Sequence, residues 1–374
     1  MMKASQTHPW ELLFPPPTEG ASARMQTFRL LLKRGEPLLL VPDDPRVARH
    51  ALALYPSQTP TARIARRLQA VALRFGLPLG TKPAHIYVDP QSPFVRFLGA
   101  PAAAPQPANF AMLLGNPRAL GRRFVLLVFD TSDRPARIVK AGVGQAATAL
   151  ICREAAFLKS AHRHLLHAPA ITGEFARGET AAFALEYAAG PTPQARDVAP
   201  LARLLESWLA LQVTTRFAEL ATAQRLVACA PADLRVRCVL AKLDAVRFHP
   251  AVFHGDFVPW NIRLRPHDRR WVVLDWERAE PTGPPAWDWF HFLIQNEILV
   301  RRARAEHLVA RLNELVHSPH FAHYAALAGM ADSVRPLLLG YLLYCCHVQR
   351  QAEGMPQLEE LLEALSAACT AQAI

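Results

Sequence analysis

Three side chains in a short span offer recognisable chemistry. In Phe253-His254-Gly255-Asp256-Phe257-Val258-Pro259-Trp260-Asn261 an acid is followed five positions on by an amide, and Val272-Val273-Leu274-Asp275-Trp276 sets a second acid behind an apolar run. That set is what phosphoryl transfer needs. One carboxylate orients the attacking hydroxyl, while an amide and another carboxylate hold the metal ions that bridge the nucleotide phosphates. Asp256 and Asn261 bracket a short loop, so both can face one side of it. The segments Asn261 to Arg265 and Arg270 to Asp275 read as a hairpin about Pro266-His267-Asp268, which brings Asp275 back beside Asn261. The bland alternative is an acidic turn before a hairpin, with His254 a satisfied buried histidine. The agreement of two acids and an Asn in order and spacing weighs against it.

The loop resembles the catalytic loop of protein kinases, H-R-D-L-x-x-x-N followed by D-F-G, with His254-Gly255-Asp256 and Asn261 at the same offsets. Gly for Arg, and Asp275-Trp276-Glu277 for Asp-Phe-Gly, make it similar to the aminoglycoside phosphotransferase and choline kinase family, whose members phosphorylate small molecules. The resemblance spans roughly residues 109–374. It implies an α+β, bilobal protein-kinase-like fold: a small antiparallel-sheet N-lobe and a mostly helical C-lobe, here with an extra N-terminal α+β module. It also implies ATP and Mg2+ as cofactors, with Asp256 as catalytic base, Asn261 and Asp275 as magnesium ligands, and His254 bracing a loop shaped by Pro259 and Trp260. Asp288 resembles the family's structural acid. Its other reading, a first-turn helix acid favoured by the macrodipole, is compatible. Backbone groups of Glu186, Tyr187 and Ala188 would meet the adenine where a strand leaves into a hinge.

These residues need elements to carry them. Ala136-Arg-Ile-Val-Lys140 reads as a strand ending in a lysine, similar to the V-A-I-K position that pairs with nucleotide phosphates. A helix from about Ala146 carries Glu154, the natural ion-pair partner of Lys140. Glu174, in a strand, is the alternative partner. A lone Lys and Glu are usually surface charges, and only the Asp256 set raises these two above that. Phe110 to Gly115 and Gly121 to Asp130 read as strands around Asn116-Pro-Arg-Ala-Leu120, which is either a phosphate-covering turn or an ordinary hairpin. Gly142-Val143-Gly144 mimics a dinucleotide fingerprint, but the repeated β-α-β units that reading needs are missing downstream.

The remaining organisation follows from punctuation and periodicity. Residues 1–24 read as irregular, and Phe28–Lys33 with Pro37–Val41 as a hairpin. Asp44-Pro45 and Thr59-Pro60 each open a helix; the second places Ile64, Ala65, Leu68, Val71, Ala72 and Phe75 on one face. His85–Asp89 and Phe94–Leu98 read as short strands. Residues 1–98 thus form a separate α+β module without a catalytic set, and 99–108 a Pro/Ala-rich linker. Residues 109–190 are the nucleotide-phosphate lobe, and 191–374 the helical lobe with catalytic loop and acceptor pocket. There, Leu201, Leu204, Leu205, Trp208, Leu209 and Leu211 fit a buried face, and further helices span about Ala232 to Phe248 and from Ala286 onward.

Composition limits the alternatives. The chain has 374 residues, 51% hydrophobic, and carries net charge +11, of which 13 Lys/Arg against 6 Asp/Glu place +7 in residues 1–98. The basic residues are scattered without the aromatic interleaving of an RNA platform, so a solvated Arg-rich face is favoured over nucleic-acid binding. The basic balance also leans against a polycationic acceptor. Six Cys without framework spacing, no secretory h-region and no membrane-length apolar run suit a reduced, cytoplasmic protein. No Walker A or G-x-S-x-G occurs, so P-loop NTPases and serine hydrolases of that type lose support, and the scattered histidines give no H-E-x-x-H. The expectation is an ATP-dependent phosphotransferase acting on a small-molecule hydroxyl. The alternative is a kinase-fold scaffold that recruits a protein partner through its basic N-terminal module.

Overall fold

The structure, a computed structural model, describes residues 8–17, 23–33, 35–55, 60–77, 79–99, 109–116, 121–160, 166–194, 197–349 and 356–370. The chain divides into two compact units, Met1–Ser160 with Pro169–Ala189, and Ala161–Ala168 with Gly190–Ile374.

In the first unit eight strands form one sheet. They are β1 (Arg24–Lys33), β2 (Glu36–Pro42), β3 (Thr81–Val88), β4 (Phe110–Leu113), β5 (Arg122–Phe129), β6 (Pro135–Val143), β7 (Ile171–Arg177) and β8 (Thr180–Glu186), in the order β3-β1-β2-β4-β5-β6-β8-β7. Every pairing is antiparallel. The apolar runs Leu38 to Val41 and Phe124 to Phe129 do not alternate with polar residues because these strands are covered on both faces, so inward and outward positions are both buried. Leu40, Met112, Leu126 and Val128 join Phe28, Phe110 and Phe124 in one core. Leu39, Val41, Ala111, Leu127 and Phe129 join Val47, Ala51 and Leu73 in the other. The helices on this second face are α1 (Pro45–Ala51) and α2 (Pro60–Arg74). Asp44 caps α1 by accepting the Arg46 N–H at 2.8 Å, and Pro45 fills the first position, where its missing N–H costs nothing.

Several expectations are corrected here. Residues 1–98 do not stand apart, because β2 pairs with β4 through Leu39–Leu113 and Leu40–Met112 and makes the sheet continuous. The physical reason is that the Leu39 to Val41 stretch of β2 is fully buried, so its backbone N–H and C=O groups need partners on both edges. Phe94–Leu98 is not a strand but helix α3 (Pro93–Gly99). Phe94, Val95 and Leu98 are all buried, a helical spacing that no period of two can satisfy. The first residues are not wholly irregular either, since a short 3-10 turn, Pro9–Leu12, leads Trp10, Leu13 and Phe14 into the first core. In α2 the apolar row faces outward: Ile64, Leu68, Val71 and Phe75 are 53–70% exposed, while Ala72 and Leu73 are buried. The linker beyond Gly99, the turn Asn116–Leu120 beyond Asn116, and Thr59 lie outside the described residues. The antiparallel sheet excludes a dinucleotide-binding fold. Gly142 has a packing role instead: a Cβ there would sit 2.8 Å from the Ala147 carbonyl, on helix α4 (Gln145–Ser160).

Among the described residues of the second unit, eight helices pack around three short strand pairs. The helices are α5 (Val198–Glu206), α6 (Ala221–Cys229), α7 (Leu234–Leu243), α8 (Trp287–Gln295), α9 (Ala305–Val316), α10 (Pro319–Leu327), α11 (Val334–Tyr344) and α12 (Pro356–Thr370). The pairs are β9 (Thr215–Arg216) with β10 (Arg247–Phe248), β11 (Ala251–Phe253) with β14 (Glu280–Gly283), and β12 (Ile262–Leu264) with β13 (Trp271–Val273). The helix expected over Ala232–Phe248 is the shorter α7, opened by Asp233, whose side chain accepts the Arg235 N–H at 2.8 Å. Leu211 lies beyond the end of α5 and is 47% exposed rather than buried. Among the described residues no single helix is long and apolar enough to cross a membrane. The apolar run near Leu338 is the buried core helix α11.

Candidate active site

The catalytic-type loop hangs between β11 and β12 and is held from three sides. From behind, Asp288 in the first turn of α8 accepts the backbone N–H of His254 at 2.8 Å and of Gly255 at 3.3 Å. From within, His254 donates Nε2–H to the Leu274 carbonyl at 3.0 Å, and its Nδ1 accepts the Asp256 N–H at 3.2 Å. Both ring nitrogens are therefore used by a neutral imidazole. Burial pushes the His254 pKa down to about 4, although the Asp256 and Asp275 charges pull the other way. From beneath, Trp276 lies 4.5 Å from the His254 ring and Trp208 lies 5.2 Å from Phe257, between ring centroids. Gly255 sits at φ +78°, and a Cβ there would come within 2.9 Å of Arg278, so the second loop residue is a glycine for steric reasons.

The hairpin brings the second acid back. β12 and β13 pair from Ile262–Val273 to Leu264–Trp271. Beyond them the Leu274 N–H donates to the Asn261 carbonyl at 2.7 Å. Leu274 is thus tied to Asn261 on one side and His254 on the other, and Asp275 follows it in the left-handed region at φ 67°, a conformation Asp tolerates better than most residues. Asn261 turns its Nδ2 toward the loop and donates to both the carbonyl and Oδ2 of Asp256, each at 3.0 Å. Its amide oxygen is thereby left without a hydrogen-bond partner among the described residues. Asp256 is 29% exposed. Burial raises its pKa, but the hydrogen bond from His291, with Arg278 and His254 nearby, outweighs this and holds it at about 2.

In the first unit, Lys140 Nζ on β6 lies 2.7 and 2.9 Å from the two carboxylate oxygens of Glu154 on α4. The pair is 13% and 2% exposed. The alternative partner, Glu174, pairs instead with Lys159 at 3.0 Å. At the end of β8 the Glu186 N–H donates to the Ala170 carbonyl and the Tyr187 N–H to the Ala136 carbonyl. Of the backbone groups expected to meet the adenine, the Glu186 and Tyr187 N–H groups are therefore used within the sheet. The Ala188 N–H has no hydrogen-bond partner among the described residues.

Residues 184–329 match the family model described as phosphotransferase enzyme family. Over those residues the chain is similar to that family. The matched stretch contains Asp256, Asn261, Asp275 and Asp288, and an antiparallel sheet preceding a helical unit is the protein-kinase-like arrangement. No curated protein matches the chain. Among solved structures it is similar to a thermostable mutant of aminoglycoside phosphotransferase APH(4)-Ia, at 14% identity, covering 69% of this chain and 94% of that one with a TM-score of 0.46. It is similar also to a putative fructosamine-3-kinase from Haemophilus somnus, at 12% identity, 73% and 95% coverage and TM-score 0.43. A choline kinase from Streptococcus pneumoniae follows at 13% identity, 66% and 89% coverage and TM-score 0.37.

Sequence reasoning missed one part of the site. His291 Nε2 lies 3.3 Å from Asp256 Oδ1, and the Tyr341 hydroxyl lies 3.0 Å from His291 Nδ1. A signal was present, since His291 follows Asp288 by three positions on one helix, and residues three apart share a face.

Proposed function

We propose that the chain is an ATP-dependent phosphotransferase that moves the γ-phosphoryl group to a hydroxyl of a small molecule. One observation carries this reading: Asp256 is ionised and partly open to solvent, while the Asn261 amide that pins it keeps its own oxygen free. A carboxylate so held can accept the hydrogen bond of an acceptor hydroxyl and aim its oxygen. The transition state of such transfers is loose, so alignment matters more than early proton removal. The proton reaches Asp256 as the new P–O bond forms and the bond to the leaving diphosphate breaks.

The donor set fits magnesium. Asn261 Oδ1 and the Asp275 carboxylate are hard oxygen ligands, and Mg2+ takes one or two protein oxygens and completes its shell with phosphates and water. Among the described residues no group of three or more His, Cys, Asp and Glu could hold a metal by itself. When bound, the ion would neutralise phosphate charge. Lys140, aimed by Glu154, would hold a nucleotide phosphate, and the Ala188 N–H would meet the base.

The test is ATP consumption and product mass with Mg-ATP against a panel of sugars, amino alcohols and aminoglycosides. Asp256→Ala should lose transfer by at least about 100-fold while still binding nucleotide, and Asp275→Ala should also weaken Mg-ATP binding. Wild-type turnover by either variant would remove the assignment. The scaffold reading has the exposed row Ile64, Leu68, Val71 and Phe75 in its favour. It predicts no transfer to any acceptor and no thermal shift with Mg-ATP.

A further inference from the structure

Helix α8 touches three consecutive residues of the loop. Asp288 takes the His254 and Gly255 amides, and His291, one turn on, reaches the next side chain, Asp256. The first two contacts hold backbone. The third holds the carboxylate on which the chemistry depends.

The direction of that contact is set from behind. Tyr341 on α11 is fully buried, and burial, with Cys345, Asp288 and Asp256 nearby, raises its pKa far above the usual phenol value. It therefore keeps its proton and can donate O–H to His291 Nδ1 at 3.0 Å. With Nδ1 accepting, a neutral imidazole carries its proton on Nε2, and that N–H points at Asp256 Oδ1. In this arrangement Tyr341 donates to His291 and His291 donates to Asp256.

We propose that His291, set in its tautomer by Tyr341, is a positioning residue that fixes the Asp256 carboxylate for attack by the acceptor hydroxyl. This rests on the reading of Asp256 as the residue that orients that hydroxyl. The two carboxylate oxygens have different keepers: Asn261 holds Oδ2 and His291 holds Oδ1. Asn261 is also assigned to the metal, so its grip on Oδ2 is exposed to change when Mg-ATP arrives. The grip of His291 is not, because His291 is 2% exposed and its other nitrogen is tied to a buried tyrosine. His291 is thus the constraint on carboxylate orientation that persists through the catalytic cycle. Misplacing a reacting group by about 1 Å can cost 100-fold in rate. Removing this N–H should accordingly lower kcat and leave both KM values alone, since the acceptor and nucleotide contacts are unchanged.

The test uses the full chain and Mg-ATP, with the best acceptor from the panel and, beside it, water as acceptor in ATP hydrolysis. His291→Leu should drop kcat by about 10- to 100-fold with KM for Mg-ATP and acceptor within about twofold. His291→Gln should recover most of the rate, because its amide nitrogen can donate near the position of Nε2. Tyr341→Phe should fall between them, since it keeps the ring and loses the tautomer control. Melting temperatures of all three are read alongside. Wild-type kcat in His291→Leu overturns the proposal, as does an equal loss of rate and melting temperature in the Leu and Gln variants, which a merely structural histidine would give. Asp256→Ala in the same assay keeps the two questions apart. If Asp256→Ala turns over normally, the assignment of Asp256 fails first; if it is inactive and His291→Leu is normal, only the role of His291 fails.

Discussion

Asp288 is a buried carboxylate whose energetics can be worked from its contacts. It accepts two backbone N–H groups, yet burial dominates and pushes its pKa up to about 7 against two opposing hydrogen bonds and the nearby His291. An acid whose pKa is raised in the folded protein holds its proton more tightly there than when unfolded. Between the unfolded value near 4 and the folded value near 7 the native state binds the extra proton, so stability contributed by this group is greatest at low pH and is lost as pH rises through that window. With one pKa unit worth about 1.36 kcal/mol, integration from pH 5 to pH 7 gives a loss of about 2 kcal/mol.

The perturbation is Asp288→Asn, which keeps size and one acceptor but cannot titrate. The assay is urea unfolding at intervals from pH 5 to pH 8, read as wild type minus variant. Taking the difference matters because His254, held neutral by burial, and His167, whose pKa burial also lowers, contribute slopes of the opposite sign. The expected difference shrinks by about 2 kcal/mol between pH 5 and pH 7 and is flat above pH 8. Parallel curves for the two proteins would refute the reasoning, because they would mean that Asp288 is ionised throughout and its two N–H donors outweigh burial. Asp288→Ala is the complementary probe. It strands two buried donors, at about 1–3 kcal/mol each, and should lower stability at every pH.

Two further expectations concern particular contacts. Lys140→Met leaves the Glu154 carboxylate buried without its cation and should cost about 3–5 kcal/mol in chemical unfolding, while Lys140→Met with Glu154→Gln should recover much of that; a non-recovering double variant would argue that the pair is not coupled. Gly255→Ala forces a Cβ against Arg278 in a left-handed backbone and should lower kcat by roughly tenfold or more through displacement of Asp256, with normal turnover in steady-state assays counting against the steric account.

The parts of the site that the sequence exposed and the parts it hid differ in how their contacts are made. Asp256, Asn261 and Asp275 are legible because local geometry, a short loop and a tight hairpin, forces them together whatever the rest of the chain does. The fold was legible for the same reason wherever elements carry their own punctuation, as Asp44-Pro45 does for α1. Phe94–Leu98 was misread because five apolar-rich residues satisfy a strand or a helix equally, and only the core they meet decides. The row on α2 was misread in a different way. Helical spacing predicts which residues share a face, but not whether that face looks inward, and in this chain Ala72 and Leu73 go in while Leu68 and Phe75 stay out.

His291 belongs to neither case. Its spacing from Asp288 was visible, and an aromatic, apolar neighbourhood such as Trp287-Asp288-Trp289-Phe290-His291-Phe292 makes a buried histidine the ordinary expectation. What the spacing could not supply was Tyr341, fifty residues on, whose hydroxyl, in the proposal above, sets which imidazole nitrogen carries the proton. Local sequence fixed the place of the ring, and a long-range contact fixed its chemistry. A substitution at Tyr341, remote from the loop in sequence, should therefore alter kcat before it alters binding.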